Sequence, residues 1–164
     1  MKSIPTCNQK LLISGKGKVI IGLKCTFGYK LGGHFYNGLV ELQSRYSESV
    51  ITIGNNVKTN NNLFICCGQN VSIGDDTLIG NNVSIMDHEA HEILPSQRND
   101  LGEMGNVLIG KNVWIGNNVT ILKNSIIGDN TVVAAGSIVS GKFSANVIIG
   151  GIPAKVIREI SESN

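Results

Sequence analysis

The chain has 164 residues, a formal net charge of +2 and 16% charged residues. This balance argues against a general nucleic-acid-binding protein, which would carry a basic patch or stripe. No apolar run approaches the roughly 20 residues that a membrane-spanning helix needs, and the first residues lack the continuous apolar core of a secretory signal. We therefore expect a single cytoplasmic domain over residues 1–164, with no integral membrane segment and no nucleic-acid partner.

The pattern of cysteines also indicates a cytoplasmic protein. Cys7, Cys25, Cys66 and Cys67 form no CxxC motif, and a domain of this length does not depend on disulfides. We expect reduced thiols. Cys66 and Cys67 are interpreted as packing residues, because neither has an adjacent base in the sequence.

The first half of the chain repeats only in part. Residues 1–18 show no clear repeat. This predicts either an irregular leading segment or an irregular first coil, where a coil is one full turn of the repeating fold. A six-residue spacing of apolar side chains then begins at Ile21 and becomes regular at Ile53, with a loop-like stretch over residues 28–38 between them.

The repeat stops at residues 86–106, a polar segment with Pro95, two of the three histidines and several acids. A fold built from such repeats has little reason to order polar backbone outside its core, because ordering costs conformational entropy. Loops held by a rigid scaffold commonly carry function. We therefore expect an extruded active-site loop here.

The stretch from Ile109 to Val139 is the most regular. An aliphatic residue recurs every six positions, and Gly, Asn or Asp commonly follow it. Side chains alternate faces along a strand, β-branched residues suit a half-buried pleated surface, and Gly, Asn and Asp tolerate the backbone of tight corners. A hexapeptide period predicts an all-β fold, the parallel β-helix, in which three units close a triangular coil.

The pattern loosens after Val139. Residues 150–164 contain a turn followed by a short helix or strand. We expect this segment to cap the open end of the coil, an edge that would otherwise invite pairing with another chain.

The long loop holds the densest cluster of titratable residues. Histidine suits proton transfer near neutral pH, and a neighbouring carboxylate can hold its tautomer. Spacing alone leaves His88 and His91 as candidates for a general base. Either Asp87 or Glu89 is a candidate for the acid that orients the ring.

The segments NNVSIMDHEAHEI, GEM and IGKNVWIGNNV, within about residues 60–160, resemble the hexapeptide-repeat acyltransferases. They are most similar to sugar O-acetyltransferases of the galactoside and maltose type, and the Asp-His pair is similar to O-acetyltransferases of bacterial surface polysaccharides. The resemblance implies a left-handed β-helix and direct acetyl transfer from acetyl-coenzyme A to a sugar hydroxyl. It also implies a homotrimer with sites between subunits, and no metal.

The resemblance assigns roles to single residues. His88 corresponds to the general base. The candidates for the acceptor site are Asn60, His91 and Met104. For coenzyme A binding, the resemblance points to Ala135 and Gly136 and matches Trp114. Independently of the resemblance, Lys142, Lys155 and Arg158 are candidates because basic side chains bind phosphates, and Asn117 is a candidate that also fits a plain corner position. Gly68 stands where galactoside-type enzymes have an acceptor-binding Asp, so we expect a different acceptor.

Two other functions stay open. A zinc carbonic anhydrase needs three histidines at the metal, and the chain has only His34, His88 and His91, the first far back in an irregular segment. A non-catalytic β-helix scaffold would not need a loop that carries histidines.

Overall fold

The computed structural model describes residues 4–161, which form a parallel β-helix. Three strands make one turn of the coil, and each strand except those at the C-terminal end pairs in parallel with the strand three places later in the chain. The strands therefore stack into three flat sheets around a triangular core.

The strand bounds follow the three sheets. The first sheet contains β1 (Thr6–Cys7), β4 (Thr26–Phe27), β7 (Lys58–Thr59), β10 (Leu78–Ile79), β13 (Trp114–Ile115), β16 (Val132–Val133), β19 (Val147–Gly151) and β20 (Ala154–Glu159). The second contains β2 (Leu11–Gly15), β5 (Val40–Ser44), β8 (Phe64–Cys67), β11 (Ser84–Met86), β14 (Thr120–Ile121) and β17 (Ile138–Val139). The third contains β3 (Lys18–Ile21), β6 (Val50–Ile53), β9 (Asn70–Ile73), β12 (Asn106–Ile109), β15 (Ile126–Ile127) and β18 (Lys142–Phe143).

One hydrophobic core runs along the axis of the coil. Parallel register places equivalent side chains of successive coils over one another, as where Val71 pairs with Val107 and Ile73 with Ile109. These side chains are buried, and burial of each aliphatic side chain stabilises the fold by about 1.5–3 kcal/mol. The all-β parallel β-helix predicted from the hexapeptide period is confirmed.

The corners use asparagine for its backbone conformation. Asn112, Asn130 and Asn146 all have φ between 51° and 59°, a left-handed region that most residues with a Cβ adopt only at a cost. They stack on successive coils, and their amides form a ladder: Asn112 Nδ2 donates to Asn130 Oδ1 at 2.9 Å, and Asn130 Nδ2 donates to Asn146 Oδ1 at 2.9 Å. The Asn residues of these three repeats thus shape the corner and link it from coil to coil.

Residues 4–17 are more regular than the sequence predicts. β1 pairs with β4 and β2 pairs with β5, so this segment forms the first coil rather than an irregular leader. The hexapeptide pattern does not show it because pairing with the next coil, and not a local repeat, fixes these strands. Residues 1–3 lie outside the described residues.

The C-terminal segment is a strand and not a helix. β20 runs antiparallel to β19, with Val147 opposite Glu159 and Gly151 opposite Ala154. It therefore lies along the edge of β19; residues 162–164 lie outside the described part of the chain. Within residues 4–161 no helix is long and apolar enough to cross a membrane.

The asparagine ladder predicts a difference between two substitutions at Asn130. Both Asn130→Gly and Asn130→Ala remove the amide bonds, but only alanine meets the steric penalty of positive φ. We expect the alanine variant to have a free energy of unfolding about 1–2 kcal/mol lower than the glycine variant. Denaturant unfolding at one fixed protein concentration measures this, and equal stability of the two variants would contradict the account of the corner.

Candidate active site

Asp87 and His88 directly follow strand β11 of the second sheet, at the start of the long loop. Alternation along β11 gives Asp87 the inward position after Ile85, and His88 follows it with only 9% of its surface exposed. His88 Nδ1 donates a hydrogen bond to Asp87 Oδ1 at 2.9 Å. Because an ionised carboxylate only accepts, the ring proton lies on Nδ1 and a lone pair stays on Nε2. This is the tautomer that a general base requires.

Asp87 is fully buried, and the preceding coil stabilises its charge. Oδ1 accepts from the backbone nitrogen of Gly68 at 2.6 Å, and Oδ2 accepts from those of Gln69 at 2.9 Å and Asn70 at 2.8 Å. A buried carboxylate is costly unless such donors surround it. The corner between β8 and β9 therefore fixes Asp87, and Asp87 fixes His88.

The other ring nitrogen of His88 faces two side chains from earlier coils. Arg45 Nη1 lies 3.4 Å from Nε2, and Cys66 Sγ lies 4.0 Å from it. Burial raises the pKa of the Cys66 thiol, so the sulfur stays protonated near neutral pH and is a weak nucleophile. Its position favours a packing role over covalent chemistry.

The loop, residues 87–105, folds back on itself at its base. Glu89 N donates to the carbonyl oxygen of Glu103 at 3.0 Å. Lys123 from the next coil forms ion pairs with both Glu89 and Glu103. The Glu89 carboxylate therefore contacts Lys123 and not the His88 ring, whereas Asp87 orients that ring.

A cavity of about 420 Å³ lies beside His88. Lys123 lines it from the next coil, and Ser140 and Gly141 line it from the coil after that. Its size is that of a small-molecule site. Lys142 directly follows Gly141 at the start of β18, so a cation lies one residue beyond the cavity wall.

Several candidate ligand-binding residues lie at another corner. Asn60, Trp114 and Asn117 line a cavity of about 510 Å³ on the outer face of the first sheet. Ala135 and Gly136 continue this corner one coil later, where Gly136 N donates to Asn117 O at 2.9 Å. The catalytic candidates stand at the corner between the second and third sheets, so one chain keeps the two groups apart.

The remaining candidates differ in their distance from the base. Met104 forms an isolated antiparallel backbone bridge with His88 and so lies at the site. His91 is exposed, and its Nδ1 is 2.9 Å from a carbonyl oxygen of its own loop. Lys155 and Arg158 are exposed on β20 of the first sheet.

The three histidines do not meet within one chain. His34 lies in the loop between β4 and β5, where its carbonyl oxygen accepts a hydrogen bond from Gln9 Nε2 at 2.9 Å. His88 and His91 belong to the loop after β11. Across the described residues of one chain, no three His, Cys, Asp or Glu side chains are grouped to hold a metal ion.

Arg45 and Lys123 are site residues that the sequence motifs do not reveal. Neither is near His88 in the sequence, and neither stands in a recognisable motif. Strand register is the signal that could have found Arg45, because β5, β8 and β11 place Arg45 and His88 at equivalent positions two coils apart.

Comparison with known proteins identifies the family. The family described as bacterial transferase hexapeptide (six repeats) matches residues 106–141. The chain is 36% identical over 138 residues to WbbJ of Escherichia coli K12, a candidate lipopolysaccharide biosynthesis O-acetyl transferase, with 78% of this chain and 70% of WbbJ covered. The chain belongs to the hexapeptide-repeat acetyltransferase family.

A second relative and a solved structure support this family assignment. Galactoside O-acetyltransferase of E. coli K12 is 45% identical over 118 residues, which are 70% of this chain and 56% of that protein, so the chain spans little more than half of this relative. A solved galactoside acetyltransferase in complex with coenzyme A gives a TM-score of 0.64 at 30% identity, with 94% of this chain and 66% of that chain covered. The fold is the left-handed β-helix of this family.

The ion pairs of Lys123 predict its role in holding the loop. Lys123→Met removes the cation between Glu89 and Glu103, and we expect the amides of residues 87–105 to exchange hydrogen about tenfold faster. Hydrogen-exchange mass spectrometry measures this. Lys111→Met is the matched control, because its ion pair with Asp75 is exposed; equal effects of the two variants would contradict the role of Lys123.

Proposed function

We propose that this protein is an acetyl-coenzyme A-dependent O-acetyltransferase that acetylates a hydroxyl of a sugar or of a surface-polysaccharide precursor. The observation that carries the proposal is the buried Asp87–His88 pair, in which the bond from Nδ1 to Asp87 leaves Nε2 as the unprotonated ring nitrogen. His88 also lines a cavity of about 420 Å³. The names of WbbJ and galactoside O-acetyltransferase support a saccharide acceptor, and the coenzyme A complex supports the donor.

In this mechanism His88 is the general base and transfer is direct. Its Nε2 takes the proton from the acceptor hydroxyl, whose oxygen attacks the carbonyl carbon of the acetyl thioester. Asp87 stabilises the imidazolium that forms, through its bond to Nδ1. His88 then returns the proton to the departing sulfur, so the products are an acetyl ester and a thiol. Help of this kind is worth about 10²–10⁴-fold in rate.

Coenzyme A would lie along the later coils. The exposed side chains of Lys142, Lys155 and Arg158 can meet its phosphates, and Ala135 and Gly136 offer a corner without bulky side chains. The protein's cysteines are free thiols, which fits a reducing cytoplasm.

A second copy of the chain, in a homotrimer, completes the proposed site. Asn60 and Trp114 line a cavity that one chain keeps away from His88. Trp114 is 57% exposed and pairs in register with the exposed Leu78, and an exposed apolar surface of this kind marks a contact. A neighbour that set this face against the His88 cavity would join the two groups.

The role of His88 predicts a loss of chemistry without a loss of donor binding. His88→Ala should lower kcat by about 10²–10⁴-fold, while calorimetric titration should still give saturable binding of acetyl-coenzyme A, with Kd between about 1 μM and 1 mM. Cys66→Ser is the control and should keep most of the activity, because transfer is direct. Near-normal turnover by His88→Ala, or an acetylated Cys66 in the mass spectrum, would contradict this mechanism.

A shared site predicts complementation between two impaired variants. Each proposed site takes His88 from one subunit and Trp114 from its neighbour. When His88→Ala and Trp114→Ala chains are denatured together and refolded in equal amounts, about a quarter of the sites should therefore contain both an intact His88 and an intact Trp114. Activity of the mixture should then exceed that of either variant alone by far. If both halves of a site came from one chain, mixing would restore nothing.

A further inference from the structure

A cation covers the free nitrogen of the proposed base. Arg45 Nη1 lies 3.4 Å from His88 Nε2 and 3.9 Å from Cys66 Sγ. Because a guanidinium only donates, it occupies the same lone pair that must accept the hydroxyl proton. The His88 side chain is 3% exposed in this arrangement, whereas Arg45 is exposed. An acceptor therefore reaches Nε2 only when it displaces the guanidinium.

Glycine at position 68 permits this contact. Register places Arg45, Gly68 and His88 at equivalent positions of three successive coils. A Cβ at Gly68 would lie 3.1 Å from both Cγ and Nδ1 of the His88 ring, closer than the usual contact of about 3.5–4.0 Å. The missing side chain leaves room beside the ring, which Arg45 reaches from the coil beyond.

Arg45 has no carboxylate partner in the part of the chain that the structure describes. None of the ion pairs among these described residues includes Arg45. Asp87 is held by backbone N–H groups and by His88, and Glu41 accepts from Gln43 Nε2 at 2.5 Å. The guanidinium thus presents a positive charge to the site that no ion pair neutralises.

We propose that Arg45 selects an acceptor with an anionic group, a carboxylate or a phosphate, next to the hydroxyl that is acetylated. This inference rests on the proposed function. A guanidinium binds either anion through two parallel charge-assisted hydrogen bonds, so the bound anion draws Arg45 away and frees Nε2. A neutral sugar offers only hydroxyls, which compete weakly with the ring nitrogen for the guanidinium. The acceptor class is an acidic sugar or a sugar phosphate.

The test compares acceptors that share their hydroxyls and differ in charge. Methyl hexosiduronic acids and their primary amides form one pair, and hexose 1-phosphates and methyl hexosides form the other. Wild-type kcat/KM should be at least about tenfold higher for the anionic member of a pair. Arg45→Gln should remove this preference, so that kcat/KM for the anionic member falls by at least about tenfold relative to kcat/KM for the neutral member. Arg45→Lys should restore part of the preference, because lysine keeps the positive charge but cannot form the two parallel hydrogen bonds of a guanidinium.

The matched control is Lys16→Gln. Lys16 is an exposed cation at the equivalent corner of the first coil, and its backbone nitrogen lies 3.4 Å from the carbonyl oxygen of Arg45. Its loss lowers the general positive potential and leaves the guanidinium in place, so the preference for anionic acceptors should persist. An equal loss of preference in Lys16→Gln would overturn a specific role of Arg45.

A binding measurement keeps the inference testable without turnover. The same methyl hexosiduronic acids and hexose 1-phosphates are titrated into the protein. They should shift the NMR signals of the His88 ring saturably in the wild type and not in Arg45→Gln. No shift in the wild type, an equal shift in the variant, or an equal drop of kcat on charged and neutral acceptors would overturn the inference. If anions bind in this way but no acceptor is acetylated, the proposed function fails instead.

Discussion

Parallel register between successive coils is the constraint on which the rest of the molecule depends. Each strand lies directly over its equivalent in the next coil, so buried side chains such as Val71 and Val107 form continuous ladders. The same register stacks the corners, where asparagine amides bond from coil to coil. Since a slip of one residue would turn every inward side chain outward, the core and the corner ladders hold the coils in one alignment. Every functional side chain inherits its place from that alignment.

Asp87 connects the scaffold to the chemistry. Its carboxylate occupies a corner of the preceding coil and accepts three backbone N–H groups there, which makes it part of the structural stack. The same carboxylate sets the tautomer of His88. The proposed base is therefore positioned by a rigid element even though it stands at the start of a long loop, and the ion pairs of Lys123 hold that loop against the coil. This is the kind of support that a precise site needs.

The layout of the candidate residues explains why the proposed site needs a second chain. A triangular coil points its corners away from one another, so groups at two corners of one chain cannot converge on one small molecule. Trp114 and Asn60 at one corner and His88 at another can converge only across an interface. In our proposal the charge beside the base adds a second level of control, because Arg45 lies against Nε2 and an anionic acceptor would displace it. The proposed acceptor thus takes part in exposing the group that activates it.

The sequence by itself determined the coil, the loop and a short set of titratable candidates within that loop: Asp87, His88, Glu89 and His91. The hexapeptide period is a local signal, since side-chain alternation and corner conformation depend on near neighbours, and the interruption at residues 86–106 is visible for the same reason. Only the tertiary structure decided that residues 4–17 form a coil, that Asp87 rather than Glu89 orients His88, and that Arg45 covers the ring. These facts depend on contacts between coils. The side chains that meet at a corner are decided by the number of residues in that corner, and a local period does not fix this number.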